Sequence, residues 1–146
     1  MIDMRIKSLF FDRQKVVRAV DKAKQVVLSK AGAFIRTVAR TSIRKRKGSA
    51  PPGSPPHSHV GLLRNFILFG YDRASDSVVV GPAKLNKPNE APRVLEHGGT
   101  TTATRFARGM RPNRRVRIAA RPFMGPALEK EKPKLPALWR NSVKSG

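Results

Sequence analysis

Apolar residues recur every three or four positions between residues 12 and 47, which is the spacing of one face of an α-helix. The face comprises Val16, Val20, Ala23, Val27, Ala31, Phe34 and Val38, with Val17, Leu28 and Ile35 beside it. Asp12 is a suitable N-cap, and Gly48 follows a basic run that favours the negative end of a helix dipole. The pattern therefore predicts one helix over residues 12–47, about 50 Å long.

The width of this apolar stripe bears on what the helix packs against. A coiled-coil seam is narrow, whereas a helix that covers a sheet presents a broader face. Val17 and Ile35 broaden the stripe, so packing on a sheet is favoured over a coiled coil. Gly32 lies in the middle of the predicted helix and is expected to weaken it by about 1 kcal/mol relative to alanine.

Residues 48–60 interrupt the periodic pattern. Four prolines in this stretch exclude a helix or an interior strand, and the segment is predicted to be a mobile loop. His57 and His59 lie in it without further metal-ligating residues nearby. Two histidines are too few for a coordination set, so neither a metal nor another cofactor is expected.

A β-hairpin is predicted next, followed by a second, more polar strand region. The runs Phe66–Tyr71 and Val78–Val80 flank a turn at Asp72–Ser77. A loop over residues 84–92 and an extended segment over residues 93–97 follow. Residues 98–114 are polar and basic, and are predicted to form a mobile loop or a long hairpin arm. Residues 115–119 alternate polar and apolar, which predicts a half-buried strand with arginine outward.

The C-terminal region is predicted to be a short helix that starts at Pro126 and runs through Lys132. Pro133 and Pro136 interrupt it, and an apolar group beyond them is expected to dock on the core or on a neighbouring subunit. That group is Leu135, Leu138 and Trp139. Residues 1–146 are therefore expected to form a single α+β domain: a long N-terminal helix packed on a small antiparallel sheet, with a short C-terminal helix.

Charge adds information about partners. Lysine and arginine number 31 against 9 acids, a formal charge of +22. No acid occurs between Asp21 and Asp72 or between Glu96 and Glu129. The first acid-free stretch contains Arg36, Arg40, Arg44, Lys45, Arg46 and Lys47; the second contains Arg105, Arg108, Arg111, Arg114, Arg115, Arg117 and Arg121. Such segregation indicates contact with nucleic acid, an acidic protein or a membrane surface.

Other features narrow the class of protein. No apolar window is long enough to cross a bilayer, and the N-terminus is unlike a secretory signal, so a product of the cytoplasm without membrane contact is expected. There is no cysteine, no nucleophile elbow and no phosphate-binding Gly-Lys-Ser/Thr loop. Glu96 and His97 are adjacent, and on a strand they would point to opposite faces. The chain is therefore expected not to be an enzyme, and any contact with nucleic acid to be sequence-independent.

Three segments in order carry a resemblance to a known family. They are Gly61–Leu62–Leu63–Arg64 after the basic helix and proline-rich break; the hairpin end Gly81–Pro82 with the later Glu96–His97–Gly98–Gly99–Thr100; and Arg121–Pro122–Phe123–Met124–Gly125–Pro126 before the last helix. This succession resembles the tail-completion or neck proteins of long-tailed bacteriophages. The last segment is the most specific. Its Pro122 favours an extended conformation ahead of the helix, so Phe123 is expected to be buried and Arg121 to face outward. The paired glycines and the arginine-rich residues 100–114 depart from the family's pattern.

The resemblance implies a structural virion protein. Such subunits assemble into a ring, here expected to hold six copies, between the capsid connector and the tail terminator or tail tube, with DNA passing through the ring. The motif residues Gly61, Leu62, Gly81, Pro82, Glu96, Gly99, Arg121, Pro122, Phe123 and Pro126 would be structural. A basic nucleic-acid-binding protein of ribosomal or architectural type is the alternative. A third possible class of protein is a small enzyme or toxin that acts on nucleic acid.

Overall fold

The computed structural model describes residues 12–83, 91–103 and 114–143. The elements in chain order are α1 (Arg13–Ser42), α2 (Leu62–Asn65), β1 (Ile67–Asp72), β2 (Ser77–Pro82), α3 (Ala91–His97), β3 (Gly99–Ala103), β4 (Arg114–Ile118), α4 (Met124–Glu131) and the 3₁₀ helix η1 (Lys132–Trp139). The long N-terminal helix, the antiparallel strand pairs and the short C-terminal helix confirm the predicted α+β class.

Helix α1 begins where the sequence predicts. The side chain of Asp12 accepts a hydrogen bond from the backbone N–H of Lys15 at 3.0 Å, which satisfies one of the free amides of the first turn. The predicted apolar stripe is only partly correct. The buried positions follow a spacing of four: Ala23, Val27, Ala31, Ile35 and Ala39. Val16, Val17, Val20 and Phe34 were expected on the buried face and are instead exposed.

The C-terminal end of α1 corrects the predicted helix boundary. The helix ends at Ser42, five residues before the predicted Lys47, and Ile43 takes an extended conformation. Ile43 is completely buried, so leaving the helix at this point places its side chain in the core. The basic run Arg44–Lys47 therefore lies beyond the helix and not in its last turn.

Strands β1 and β2 form the predicted hairpin and pack against α1. Their antiparallel register pairs Phe69 with Val80 and Tyr71 with Val78. Gly32 of α1 lies under this pair: a Cβ atom there would be 2.6 Å from Val78 Cγ2 and 3.0 Å from Phe69 Cδ2. Glycine thus permits close approach of the hairpin to the helix. This finding replaces the expectation of a merely weakened helix.

Strands β3 and β4 form a second, separate two-stranded sheet. Gly99 pairs with Ile118 and Ala103 with Arg114, so the two ends of the predicted basic arm are a regular antiparallel hairpin. The residues that precede it, expected to be extended, are helical in α3. Val94 on that helix is buried, and helical spacing lets this short segment both fill the core and present Glu96 to α4.

One core joins the helices to the first hairpin. Its buried side chains are Ile35, Ala39, Ile43, Ile67, Phe123 and Ala127, and Leu63, Val80 and Leu95 pack against them. Helix α4 starts at Met124, two residues earlier than predicted, so Pro126 is its third residue and not its first. The α-helix ends at Glu131, and the chain continues as η1 across Pro133 and Pro136.

The proline-rich residues 48–60 make specific contacts with the rest of the fold. The N–H of Gly53 donates to the carbonyl of Ala120 at 2.8 Å, and the N–H of Ser58 to the carbonyl of Arg44 at 3.0 Å. Ala50, Pro56 and Ser58 are buried. Mobility of this segment stays a prediction, and these contacts argue against it, because buried side chains and paired amides favour a fixed conformation.

Candidate functional site

The segments that carry the resemblance meet at one place in the fold. They line an apolar groove of about 600 Å³ formed by α2, the end of β2, α3 and the start of α4. Leu62, Leu63, Pro82, Leu95, Phe123 and Met124 contribute to its walls. Phe123 is completely buried beneath it, as the sequence predicts. Residues that are far apart in sequence therefore form a single structural unit.

Glu96 joins two of these segments directly. Its Oε2 accepts hydrogen bonds from the N–H groups of Phe123 at 2.8 Å and Met124 at 3.0 Å, and its Oε1 from Gly125 at 2.7 Å. These donors are free amides at the start of α4, where the helix dipole also favours a negative charge. Glu96 thus serves as an N-terminal cap supplied by another helix.

The environment of this carboxylate determines its ionisation. Partial burial raises the pKa of Glu96, but the bonds from Met124, Phe123 and Gly125 outweigh this effect, and the pKa is lowered overall. Both oxygens are engaged by amide donors. The side chain is therefore held as an anion that stabilises the start of α4, a role unlike that of a general base, which must accept a proton from a substrate.

Two glycines fit this arrangement sterically. A Cβ atom on Gly125 would lie 3.2 Å from Glu96 Oε1 and would crowd the cap. Gly98 has a positive φ of 74° and follows α3, and a Cβ there would lie 3.1 Å from the backbone nitrogen of Ala120. Glycine at position 98 ends the helix in the left-handed region and brings β3 close to the end of β4. The next residue, Gly99, opens β3.

Arg121 was expected to face outward and instead binds the proline-rich segment. Its Nε donates to the carbonyl of Ala50 at 2.7 Å, and its guanidinium also donates to the carbonyl of Ala119 at 3.2 Å. Its backbone N–H donates to the carbonyl of Leu95 at 2.6 Å. The arginine of the Arg121–Pro122–Phe123 segment thus holds residues 48–60, α3 and the start of α4 together. Pro122 is half-buried beside it.

The residues of the first basic cluster differ in exposure and in hydrogen bonding. The Nε of Arg36 donates to the carbonyl of Ile67 at 2.8 Å, and the side chain is half-buried, so this arginine binds the edge of β1. Arg40 is also half-buried, whereas Arg44 and Arg46 are exposed. His59 accepts a hydrogen bond from the N–H of Gly48 through Nε2 at 3.0 Å, close after the basic run. Nothing in the pattern of residues indicates these backbone contacts.

Part of the second basic cluster lies on strand β4. Arg115 and Arg117 are exposed while Val116 and Ile118 are half-buried, which confirms the predicted alternation with arginine outward. Arg114 pairs through its backbone with Ala103. Arg105, Arg108 and Arg111, also predicted to contact DNA or an acidic partner, lie outside the described residues.

A different surface lies on the outer face of β1–β2, and sequence reasoning did not single it out. Leu68 is opposite Gly81 and Val79 is opposite Gly70, on the side of the sheet that faces away from α1. Leu68 is 48% and Val79 63% exposed. Neither strand contains lysine or arginine, although the whole chain has 31 of them, and the one charged residue of the two strands is Asp72, at the turn end of β1. We call Leu68, Gly70, Val79 and Gly81 the uncharged face.

Within residues 12–83, 91–103 and 114–143, no group of three or more histidines and acids is placed to hold a metal ion. No helix in these ranges combines the length and the apolar character that a bilayer crossing needs. The comparisons with known proteins found no matching family model, no matching curated protein and no matching solved structure. The resemblance to phage neck proteins therefore rests on the motif segments alone.

Proposed function

We propose that this chain is a structural virion protein, a ring-forming subunit of a bacteriophage neck that joins the capsid connector to the tail around the DNA channel. The observation that carries the proposal is the meeting of two of the resemblance segments at Glu96. Glu96 caps α4 at Phe123, Met124 and Gly125, so two motifs that are separate in sequence depend on each other in the fold. A chance likeness of short segments does not require such an arrangement.

Self-association is the second element of the proposal. Two copies that each carry a formal charge of +22 repel each other. This repulsion is weakest where the contact surface carries no lysine or arginine. The uncharged face, with Leu68 and Val79 exposed, meets this requirement and offers apolar area to bury. A second copy of the chain is therefore its proposed occupant. In a ring of six copies, as the resemblance implies, the uncharged face of each copy would contact a different surface of the next copy, in the head-to-tail manner.

The proposal places the protein in the neck of the virion after synthesis in the host cytoplasm. Its neighbours there would be the connector or adaptor on one side and the tail terminator or tail tube on the other. It assigns no catalytic step to the chain. The capping role of Glu96 supports this view, because the carboxylate that lines the groove is already occupied by three backbone donors.

The experiment is a measurement of mass in solution and of incorporation into particles. The purified wild-type chain is expected to sediment as a hexamer or larger species at micromolar concentration and to be present in virions. The double variant Leu68→Lys, Val79→Lys introduces like charges into the uncharged face and should sediment as a monomer with unchanged circular dichroism.

Val60→Lys is the matched control, since Val60 is 71% exposed and lies outside that face. It should assemble like the wild type. A wild-type chain that stays monomeric and is absent from particles contradicts the proposal. If such a monomer binds RNA and sediments with ribosomes, the ribosomal or architectural alternative is correct.

A further inference from the structure

The outer face of the β3–β4 hairpin combines each exposed arginine with a threonine on the neighbouring strand. Arg117 lies opposite Thr100 and Arg115 opposite Thr102, and all four side chains are exposed. We call these residues the arginine–threonine face. Every side chain on it is a hydrogen-bond donor, and guanidinium groups add positive charge.

The spacing of this face suits a repeating anionic ligand. Residues two apart on an antiparallel strand are separated by about 6.8 Å and point to the same side. Arg115 and Arg117 therefore form two donor pairs with their threonines at an interval similar to that between successive phosphates of a nucleic-acid strand. A single anion would need only one of these pairs.

Neither guanidinium is engaged elsewhere in the described part of the chain. No side-chain hydrogen bond or ion pair joins Arg115 or Arg117 to a described residue, whereas the side chains of Arg36 and Arg121 donate to backbone carbonyls. The sequence also contains no acid between Glu96 and Glu129. The arginine–threonine face thus has its donors available for an external ligand.

The composition of the face favours nucleic acid over an acidic protein. Protein interfaces are built around buried apolar or aromatic anchors with a polar rim. The exposed residues of this face are threonine and arginine only, and its apolar side chains Val116 and Ile118 lie on the opposite side, half-buried. Arginine and hydroxyl side chains are the usual partners of phosphate oxygens.

The base of the hairpin is fixed to the core, which orients the face before any ligand binds. Gly98 holds β3 close to Ala120, and the backbone N–H of Arg121 donates to the carbonyl of Leu95. Glu96, just before β3, is bonded to the start of α4. A fixed base lowers the conformational entropy lost on binding.

We propose that the arginine–threonine face binds the phosphate backbone of nucleic acid without reading its sequence. This inference deepens the proposed function and rests on it for the identity of the ligand as the DNA in the channel. It assigns DNA contact to the β3–β4 hairpin in preference to the exposed residues Arg44 and Arg46 after α1. Sequence alone left that choice open.

The test compares two double variants with the same loss of charge, using the full chain and a labelled random-sequence DNA duplex. Arg115→Gln with Arg117→Gln is expected to weaken binding about tenfold at physiological salt. The slope of log Kd against log salt should fall in magnitude by about two, one for each lost phosphate contact. Circular dichroism should be unchanged.

Arg44→Gln with Arg46→Gln is the matched control and should weaken binding by less than about threefold. Equal or greater loss in this control overturns the inference, as does a wild-type chain that prefers polyglutamate to DNA. The latter outcome would assign the face to an acidic protein. Two outcomes separate the proposals. If the Arg115, Arg117 double variant forms a ring and binds DNA as tightly as the wild type, this inference alone is refuted. If the wild-type chain sediments as a monomer and is absent from particles, the proposed function is refuted.

Discussion

The two hairpins of this protein are built alike and have opposite surroundings. The β1–β2 hairpin packs one face on α1, with Phe69 and Val78 over Gly32, and its strands contain no basic residue. The β3–β4 hairpin is anchored at its base through α3 and presents Arg115 and Arg117 to solvent. One hairpin is thus held along its length by burial, and the other at one end by hydrogen bonds.

The contrast shows how a very basic chain can fold and still keep its charge available. Burial of apolar area stabilises the core, so basic residues are excluded from the strands that cover α1. The second hairpin contributes little to that core and tolerates closely spaced arginines, because its outer face is solvated. The residues that stabilise the fold and the residues that expose positive charge therefore lie in different parts of the molecule. Substitutions at the contact of each hairpin with the rest of the fold test this division.

Gly32→Val should have the largest effect because it blocks the close approach of the first hairpin. A Cβ atom at this position would be 2.6 Å from Val78 Cγ2, so the hairpin or the helix must shift. We expect the free energy of unfolding to fall by about 3 kcal/mol, as for overpacked cores. Urea denaturation followed by circular dichroism measures it.

Gly70→Val is the matched control for that substitution. It adds the same side chain on the outer face of the same hairpin, where no atom lies within 4 Å of the added Cβ. Measured at a concentration below that of self-association, its unfolding free energy should stay within about 0.5 kcal/mol of wild type. Similar losses at both positions would show that the close approach at Gly32 is not what holds the first hairpin.

Glu96→Gln should have an intermediate effect because it removes the charge that caps α4 and fixes the base of the second hairpin. Loss of a cap typically costs about 1 kcal/mol, and we expect a fall of that size. Glu129→Gln removes an exposed carboxylate that lies 3.7 Å from the ammonium of Lys132, and should change stability by less than about 0.5 kcal/mol.

The contribution of Glu96 should also depend on pH in a defined direction. Its pKa is lowered in the folded chain, so the stabilisation is complete above the ordinary pKa of glutamate and is lost as the pH falls through the lowered value. The difference between wild type and Glu96→Gln should therefore narrow in acid. A difference that is constant from neutral to acidic pH would exclude the ionised cap.

Asp76→Asn should have the smallest effect, because it removes only an exposed ion pair at the turn of the first hairpin. Asp76 accepts from Lys24 of α1 and from Tyr71, and these bonds lower its pKa. Asparagine tolerates the positive φ of 48° at this position. A slight fall in the urea midpoint is expected, present at low salt and absent at high salt. A fall that persists at high salt would indicate a loss other than the ion pair.

The elements of the fold that depend on local pattern were predictable from the sequence. The Asp12 cap, the first hairpin and the alternation around Arg115 and Arg117 follow from spacing that local geometry enforces. The buried face of α1 differs from the predicted one because Val16 and Phe34 have the right periodicity but stay 44% and 46% exposed, Phe34 at a surface groove beside η1. Apolar spacing identifies a helix face; tertiary packing selects which residues of it are buried.

The bonds of the candidate site were harder to predict because they join distant residues. The sequence singled out Glu96, Arg121 and Phe123 as a motif, but nothing in their spacing indicates that a carboxylate would cap a helix 27 residues further on. The shortened end of α1 has a similar cause. The helix ends before Ile43, whose side chain is buried in the core. The free energy gained by burying this side chain outweighs the helix propensity of the residues after it.

The C-terminal 3₁₀ helix has a practical consequence. It contacts α1 and α4 and ends in Trp139, the single tryptophan of the chain, which is 44% exposed. Its fluorescence emission therefore comes from this segment alone and is expected to change when η1 detaches from the two helices. The protein contains its own optical probe at that junction, and a red shift upon unfolding can be followed without any added label.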